Sequence, residues 1–276
     1  MSELSLRIRT KGKSTGFVPT MGALHQGHLR LIRQARKENK VVVVSVFVNP
    51  TQFGRGEDFK KYPRDLKRDA RLCIKEGVDM IFYPSAKEMY PNNYRTYITV
   101  EELSDVLCGK FRPGHFKGVA TVVAKLFNIV QPDIAYFGQK DAQQAIIIKK
   151  MVEDLNMPVR IKVMPTLREN NGLALSSRNA YLNKEERKQA HTLYQALNLA
   201  RHLIRQGNIN SSDIARKMRQ LIAKKKSARI QYVSIVNLKN LKPTDKIKDR
   251  VLIALAVFIG KTRMIDNIIV NPKLYG

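Results

Sequence analysis

Through the first two thirds of the chain, short β-branched runs alternate with helix-patterned stretches, and few folds accept that alternation. Gly16–Thr20 reads as a short strand, followed by a turn at Met21-Gly22 and a helical stretch from about His25 to Asn39. Val41–Val48 is a near-continuous apolar run, the pattern of a strand buried on both faces of a parallel sheet. Within Arg64–Glu76, residues Leu66, Ala70, Cys73 and Ile74 form the apolar stripe of an amphipathic helix. Val78–Tyr83 then reads as a strand, Val119–Val130 as a helix, Ile134–Phe137 as a strand, Ala142–Leu155 as a helix and Arg160–Met164 as a strand. Repeated β-then-α units predict a parallel sheet with helices on both faces, and ligands bind such sheets at the C-terminal ends of the strands.

From Lys184 onward the grammar changes. Two helical stretches, about Glu185–Arg205 and Ser211–Lys225, precede strand candidates at Ile230–Asn237, Val251–Phe258 and Met264–Val270. The expected architecture is therefore α/β: a Rossmann-like doubly wound parallel sheet over residues 1–178, then a smaller α+β domain over 179–276. The boundary is placed near Ser177–Tyr181, and the smaller domain is expected to close over the active site.

Charge and composition narrow the partners. Fifty Lys+Arg against 23 Asp+Glu give a net charge of +27, which favours solubility and weak attraction to polyanions. The lysines are scattered, apart from Lys224-Lys225-Lys226, and there is no Trp and only thinly spread Phe and Tyr for base stacking. No specific nucleic-acid partner is expected. Val41–Val48 and Val251–Ile259 are the longest apolar runs, far short of the ~20 residues of a membrane span. The N-terminal stretch MSELSLRIRTKGKSTG has no apolar centre and does not read as a secretory signal. Two cysteines, Cys73 and Cys108, without a CxxC or Cys/His cluster, read as reduced thiols of a cytoplasmic protein.

Four loops follow predicted strands and so fall where a doubly wound sheet builds its site. The first runs from Gly16 to His28. His25 and His28 are three apart at a helix start, where free N–H groups and the helix dipole suit a phosphate, and Gly27 leaves room between the two imidazoles. A zinc pair or two surface histidines are the alternatives, although no third ligand is evident nearby. Gln52, after the Val-rich strand, carries both donor and acceptor and could orient a polar substrate, or be an ordinary loop residue. In the third loop Lys140 could neutralise a phosphate, with Asp141 and Gln144 sharing a helical face; a solvated pair with a capping Asp is the alternative. The fourth, Leu175-Ser176-Ser177-Arg178-Asn179, offers two hydroxyls and an arginine as a phosphate clamp, or is simply linker.

Together these loops are specific. GFVPTMGALHQGH resembles the signature of the pantoate–β-alanine ligase family, part of the nucleotidyltransferase superfamily with the HIGH-type histidine motif. The resemblance continues through FVNPTQFGRGEDFKKYPR, LCGKFRPGHFKGVATVVAKLFNIVQPD, AYFGQKDAQQ, LSSRNAYL and the C-terminal TRMIDN. It implies that Met21, Gly22, Ala23, Leu24, His25, Gln26, Gly27 and His28 bind ATP, with His28 as the proton donor. It further implies ATP contacts at Gly138, Gln139, Lys140, Asp141, Leu167, Leu175, Ser176, Ser177 and Arg178, and pantoate contacts at Gln52 and Gln144. His25, His28 and Lys140 are the expected catalytic residues. The implied reaction condenses (R)-pantoate with β-alanine through pantoyl adenylate, releasing pyrophosphate and AMP. Mg²⁺ is expected with ATP, held mainly by substrate phosphates rather than by a side chain, and a homodimer is implied.

Departures are few. Asn171 stands where an Asp is expected before the glycine, Leu175 replaces a common Met, and the segment ahead of the first motif is shorter than usual. Two rival readings carry other chemistry. A HIGH-type nucleotidyltransferase making a dinucleotide or an activated headgroup would share the first and fourth loops but has no reason to carry Gln52 and Gln144 in these contexts. An RNA-binding protein would use the +27 charge.

Overall fold

The computed structural model describes residues 12–54 and 56–274; the reading of the N-terminal stretch falls mainly on residues 1–11, outside that range. The described residues divide into two compact units, one taking those up to 105 with 109–165, the other 106–108 with those from 166 onward.

The first unit is a five-stranded parallel sheet of β1 (Thr15–Thr20), β2 (Val41–Val46), β3 (Met80–Phe82), β4 (Ile134–Gly138) and β5 (Arg160–Met164), in the order β3-β2-β1-β4-β5. Its long helices are α1 (Gln26–Glu38), α2 (Leu66–Lys75), α3 (His115–Val130) and α4 (Ala142–Asp154). Every residue of β2 is buried, as its unbroken apolar run requires. Val42, Val44 and Val46 pack with Leu29, Ile32 and Ala35 of α1 and Cys73 of α2. Phe17 meets Phe127 of α3 edge-on at 6.4 Å, and Phe127 meets Phe137 at 6.5 Å. Burial pushes the Cys73 thiol up to about 11, which keeps it protonated and inert.

Chain order reverses between β1 and β4, and these two strands pair only at Gly16↔Ile134 and Phe17↔Ala135. Beyond Phe17 no ladder joins them, and the C-terminal ends of strands at such a reversal are where a doubly wound sheet holds its ligand.

One helix starts earlier than its pattern suggests. The periodicity predicts Val119–Val130, but α3 begins at His115 and runs through Gly118. A Cβ on Gly118 would lie 2.3 Å from the Thr51 carbonyl oxygen, so this glycine marks a close approach of main chains rather than a helix end.

The second unit holds α5 (Lys184–Ala190), α6 (Thr192–Arg205) and α7 (Ser211–Ala223), then an antiparallel sheet of β6 (Ala228–Asn237), β7 (Val251–Ile259) and β8 (Thr262–Val270). The single helix expected over Glu185–Arg205 is two, meeting at His191. Leu193, Leu197 and Ile204 pack with Ile214, Met218 and Ile222 and with Val233, Ile253 and Leu255 of the sheet.

The division falls after Pro165, earlier than the expected change near Ser177–Tyr181. Residues 166–178 belong with the second unit because Arg168 forms a bidentate ion pair with Asp266 of β8, at 2.6 and 2.9 Å. Arg168 also bridges to Ala174, which folds the segment into a hairpin. Among the described residues, no helix is long and apolar enough to cross a membrane.

Candidate active site

The turn after β1 delivers two histidines to the N-terminus of α1. His25 is the N-cap: its Nδ1 accepts the Gly27 N–H at 3.1 Å, while His28 Nδ1 accepts the His25 N–H at 3.3 Å. This is a capping box built from imidazoles, with the rings stacked at 4.0 Å and 27°. Each Nδ1 accepts, so each neutral ring carries its proton on Nε2. Gly27 is needed because a Cβ there would lie 2.8 Å from His25 Cε1. The space expected between the imidazoles is thus taken by the His25 ring itself.

Both histidines are neutral at physiological pH. His25 is lowered to about 4, first by burial and then by the charge of Lys140. His28 is pushed well below the usual value by burial, by His25 and by Lys140. Both residues are half-buried overall. What the pair can offer a ligand is therefore two Nε2–H donors at a helix N-terminus, without a full charge on either.

Lys140 lies on the 3₁₀ turn Gln139–Asp141 that follows β4, with its Nζ 3.7 Å from Asp141 Oδ1. Asp141 precedes α4 but makes no side-chain cap to it. Lys140 acts electrostatically on both His25 and His28, so the loops after β1 and β4 share one electrostatic neighbourhood. Gln144 is half-buried on the first turn of α4.

Gln52 ends the 3₁₀ turn Pro50–Gln52. Its amide donates to Met21 Sδ at 2.9 Å and accepts from Asn49 Nδ2 at 3.2 Å. A thioether is a weak acceptor, so an oxygen-rich ligand can displace it. Around Gln52 stand residues to which the sequence reading gave no role. Asn49, 1% exposed, donates to the Gly118 carbonyl and accepts from the Tyr90 hydroxyl. His115 Nδ1 lies 2.7 Å from the Gln52 carbonyl oxygen, and its Nε2 lies 2.9 Å from Arg112 Nη1. Arg112 in turn grips Glu57 through two bonds of 2.6 and 2.5 Å. Burial, then Arg112, lower His115 to about 4, so this ring is neutral too. Asp69 of α2 is a further residue that sequence reasoning missed; both its oxygens accept main-chain N–H groups of the histidine turn. FRPGH and GRGED signal that such residues exist, but pairing Glu57 with Arg112 across 55 positions needs the fold.

In the second unit, Leu167 and Leu175–Arg178 come together at the base of the hairpin. The Leu175 N–H donates to the Leu167 carbonyl at 3.0 Å, and Ser176 caps the following 3₁₀ turn by accepting the Arg178 N–H at 3.3 Å. Asn171 Oδ1 accepts the Leu173 N–H at 3.0 Å, a turn bond that an Asp would also make. The departure at this position therefore leaves the hairpin formed.

Comparison with known proteins matches residues 1–269 to the family model described as Pantoate-beta-alanine ligase. Among sequence relatives, the pantothenate synthetase of Caldicellulosiruptor saccharolyticus is 55% identical over 271 residues, covering 98% of this chain and 96% of the relative. That of Fervidobacterium nodosum is 56% identical over 271 residues, with the same coverage of 98% and 96%. Among solved structures, pantothenate synthetase from Thermus thermophilus superposes with a TM-score of 0.91 at 46% identity, over 96% of each chain. The pantoate-beta-alanine ligase of Francisella tularensis, solved in complex with beta-gamma ATP and beta-alanine, gives a TM-score of 0.79 at 38% identity, over 98% of this chain and 97% of that one.

Proposed function

The chain belongs to the pantoate-beta-alanine ligase family, and from that premise we propose that it condenses (R)-pantoate with β-alanine, using ATP and passing through pantoyl adenylate. Pantoate carboxylate attacks the α-phosphorus and pyrophosphate leaves; the β-alanine amine then attacks the activated carbonyl and AMP leaves. A carboxylate is already ionised at neutral pH, so no protein nucleophile is required. Catalysis is mainly alignment and charge stabilisation.

The observation that carries this reading is the stacked His25–His28 pair at the start of α1, with both Nδ1 atoms occupied by main-chain N–H groups. Its two Nε2–H donors suit phosphoryl oxygens whose charge grows in the transition state. Burial, His25 and Lys140 disfavour the imidazolium form of His28 in the ligand-free protein. In this scheme it therefore meets the phosphates as a neutral Nε2–H donor, and the proton-donor role implied by the family resemblance is proposed for it once they are bound. Lys140 offsets charge on the departing pyrophosphate. Met21–His28 and Gly138–Asp141 contact ATP, as do Leu167 and Leu175–Arg178. Gln52 and Gln144 pair the carboxylate and hydroxyls of pantoate.

Among the described residues no three His, Cys, Asp or Glu side chains gather as a metal ligand set. Mg²⁺ is proposed to enter with ATP, as part of the nucleotide substrate. The active form is proposed to be a cytoplasmic homodimer.

The test is release of pyrophosphate from ATP, measured with and without pantoate and β-alanine. Pantoate alone should release about one equivalent per site, and adding β-alanine should permit turnover. Pyrophosphate release that ignores pantoate would reject the reading.

A further inference from the structure

A carboxylate buried beneath the histidine turn has no part in the scheme above. Asp69 lies on α2 with 1% of its surface exposed, and a charge at that depth requires hydrogen-bonded compensation. Both of its oxygens serve one turn: Oδ2 accepts the Ala23 N–H and Oδ1 the Leu24 N–H, each at 2.8 Å. Successive main-chain N–H groups converging in this way make a concave anion cradle. Here the cradle is filled by the chain's own side chain.

The same turn holds an unfavourable backbone. Gly22 has φ +82° and Ala23 φ +50°. A residue with a Cβ avoids that region and stays in it only where its surroundings hold it. A Cβ on Gly22 would lie 3.0 Å from Asp69 Oδ2, so the carboxylate is packed directly against the turn. The neighbouring Arg68 donates to the Leu24 carbonyl at 3.0 Å, so α2 grips the turn through N–H and C=O groups alike. The next residue is His25. Its main-chain N–H goes to His28 and its ring takes the Gly27 N–H, so the clamp and the two imidazoles form one continuous chain of bonds.

We infer that Asp69 is a positioning residue for the histidine pair: by holding Gly22–Leu24 in its left-handed turn, the carboxylate sets where the two Nε2–H groups point. The kinetic consequence, control over the rate of adenylate formation, rests on the function proposed above; the geometric claim stands without it.

Asp69→Asn tests both. It keeps the side-chain shape and one acceptor oxygen, but sets an amide NH₂ against a main-chain N–H. In ¹⁵N NMR of the free protein, His25 and His28 should show neutral, Nε2-protonated rings in the wild type and lose that shared signature in the variant. Adenylate formation should slow by about 10- to 100-fold, the scale of a sub-ångström to 1 Å misplacement, with KM for pantoate changed less than about threefold. In a His28→Ala background the same substitution should slow the reaction by less than about threefold, because residues acting through one another are not additive. If Asp69→Asn does not fold, Asp69→Glu retains the charge and both acceptors while displacing the turn, and should give the same spectral change. Unaltered histidine spectra, or equal slowing with and without His28, would overturn the assignment. Failure of the wild type to release pyrophosphate on adding pantoate would reject the functional reading instead and leave the spectral result to judge Asp69.

Discussion

Replacing His28 with Ala removes three things at once, and the structure gives each a separate size. The first is the Nδ1 acceptor for the His25 N–H at 3.3 Å, half of the capping box on α1; losing an N-terminal cap costs about 0.5–2 kcal/mol of stability. The second is the 4.0 Å stack that restrains the His25 ring. The third is the Nε2–H donor, and loss of one preorganised donor at a developing charge costs about 2.7–4 kcal/mol in the transition state, a factor of roughly 10²–10³ in rate. The catalytic effect therefore exceeds the structural one. A fold that loses ~1 kcal/mol melts about 2–4 °C lower at the size of the first unit, which leaves the variant folded at assay temperature. Single-turnover release of pyrophosphate with saturating ATP and pantoate should fall about 10²- to 10³-fold, with KM for ATP little changed, because the donor strengthens only as charge develops. Thermal melting by circular dichroism reads the capping contribution separately. A rate within about threefold of wild type, in a variant with the expected small drop in melting temperature, would remove His28 from the chemistry and leave it only the His25 partner in the capping box.

Lys140→Ala should slow adenylate formation more than the attack of β-alanine on preformed adenylate, because the demand for positive charge is greatest while pyrophosphate leaves; rapid-quench measurement of the two half-reactions would show the reverse if the assignment were wrong. It should also raise the His25 pKa, since the Lys140 charge now depresses it. Gln52→Ala and Gln144→Ala should weaken pantoate binding by about 5- to 150-fold, the ~1–3 kcal/mol of polar groups left unpaired, with ATP affinity unchanged; calorimetric titration showing the opposite pattern would move both residues to the nucleotide site. Acid should destabilise the first unit through its histidines. His25 and His115 titrate near 4 in the fold against about 6.5 unfolded, so the unfolded chain binds more protons between those values. Stability should be fully present above pH ~6.5 and decline toward pH 4, and His115→Gln should flatten that decline in pH-dependent urea melts.

The local periodicities carried much of this protein. The Val-rich run at 41–48 needs apolar cover on both faces, and only a sheet flanked by helices supplies it. The β-then-α order then implies loops at strand C-termini, which is where His25, Gln52 and Lys140 stand. Those features are local because strand and helix periods repeat every two or 3.6 residues, within reach of neighbouring side chains. What the periods do not encode is which distant elements meet. Gly118 looks like a helix breaker in one dimension, yet it is the point at which α3 passes the Thr51 main chain and brings His115 to Gln52. Arg168, a lone cation in sequence, carries residues 166–178 into the second unit by pairing with Asp266. Asp69 reads as one more charge on an amphipathic helix until the fold buries it under the histidine turn. Each depends on a buried polar group finding its partner across long sequence separations, and that pairing is settled by desolvation in the packed structure, which no local pattern records.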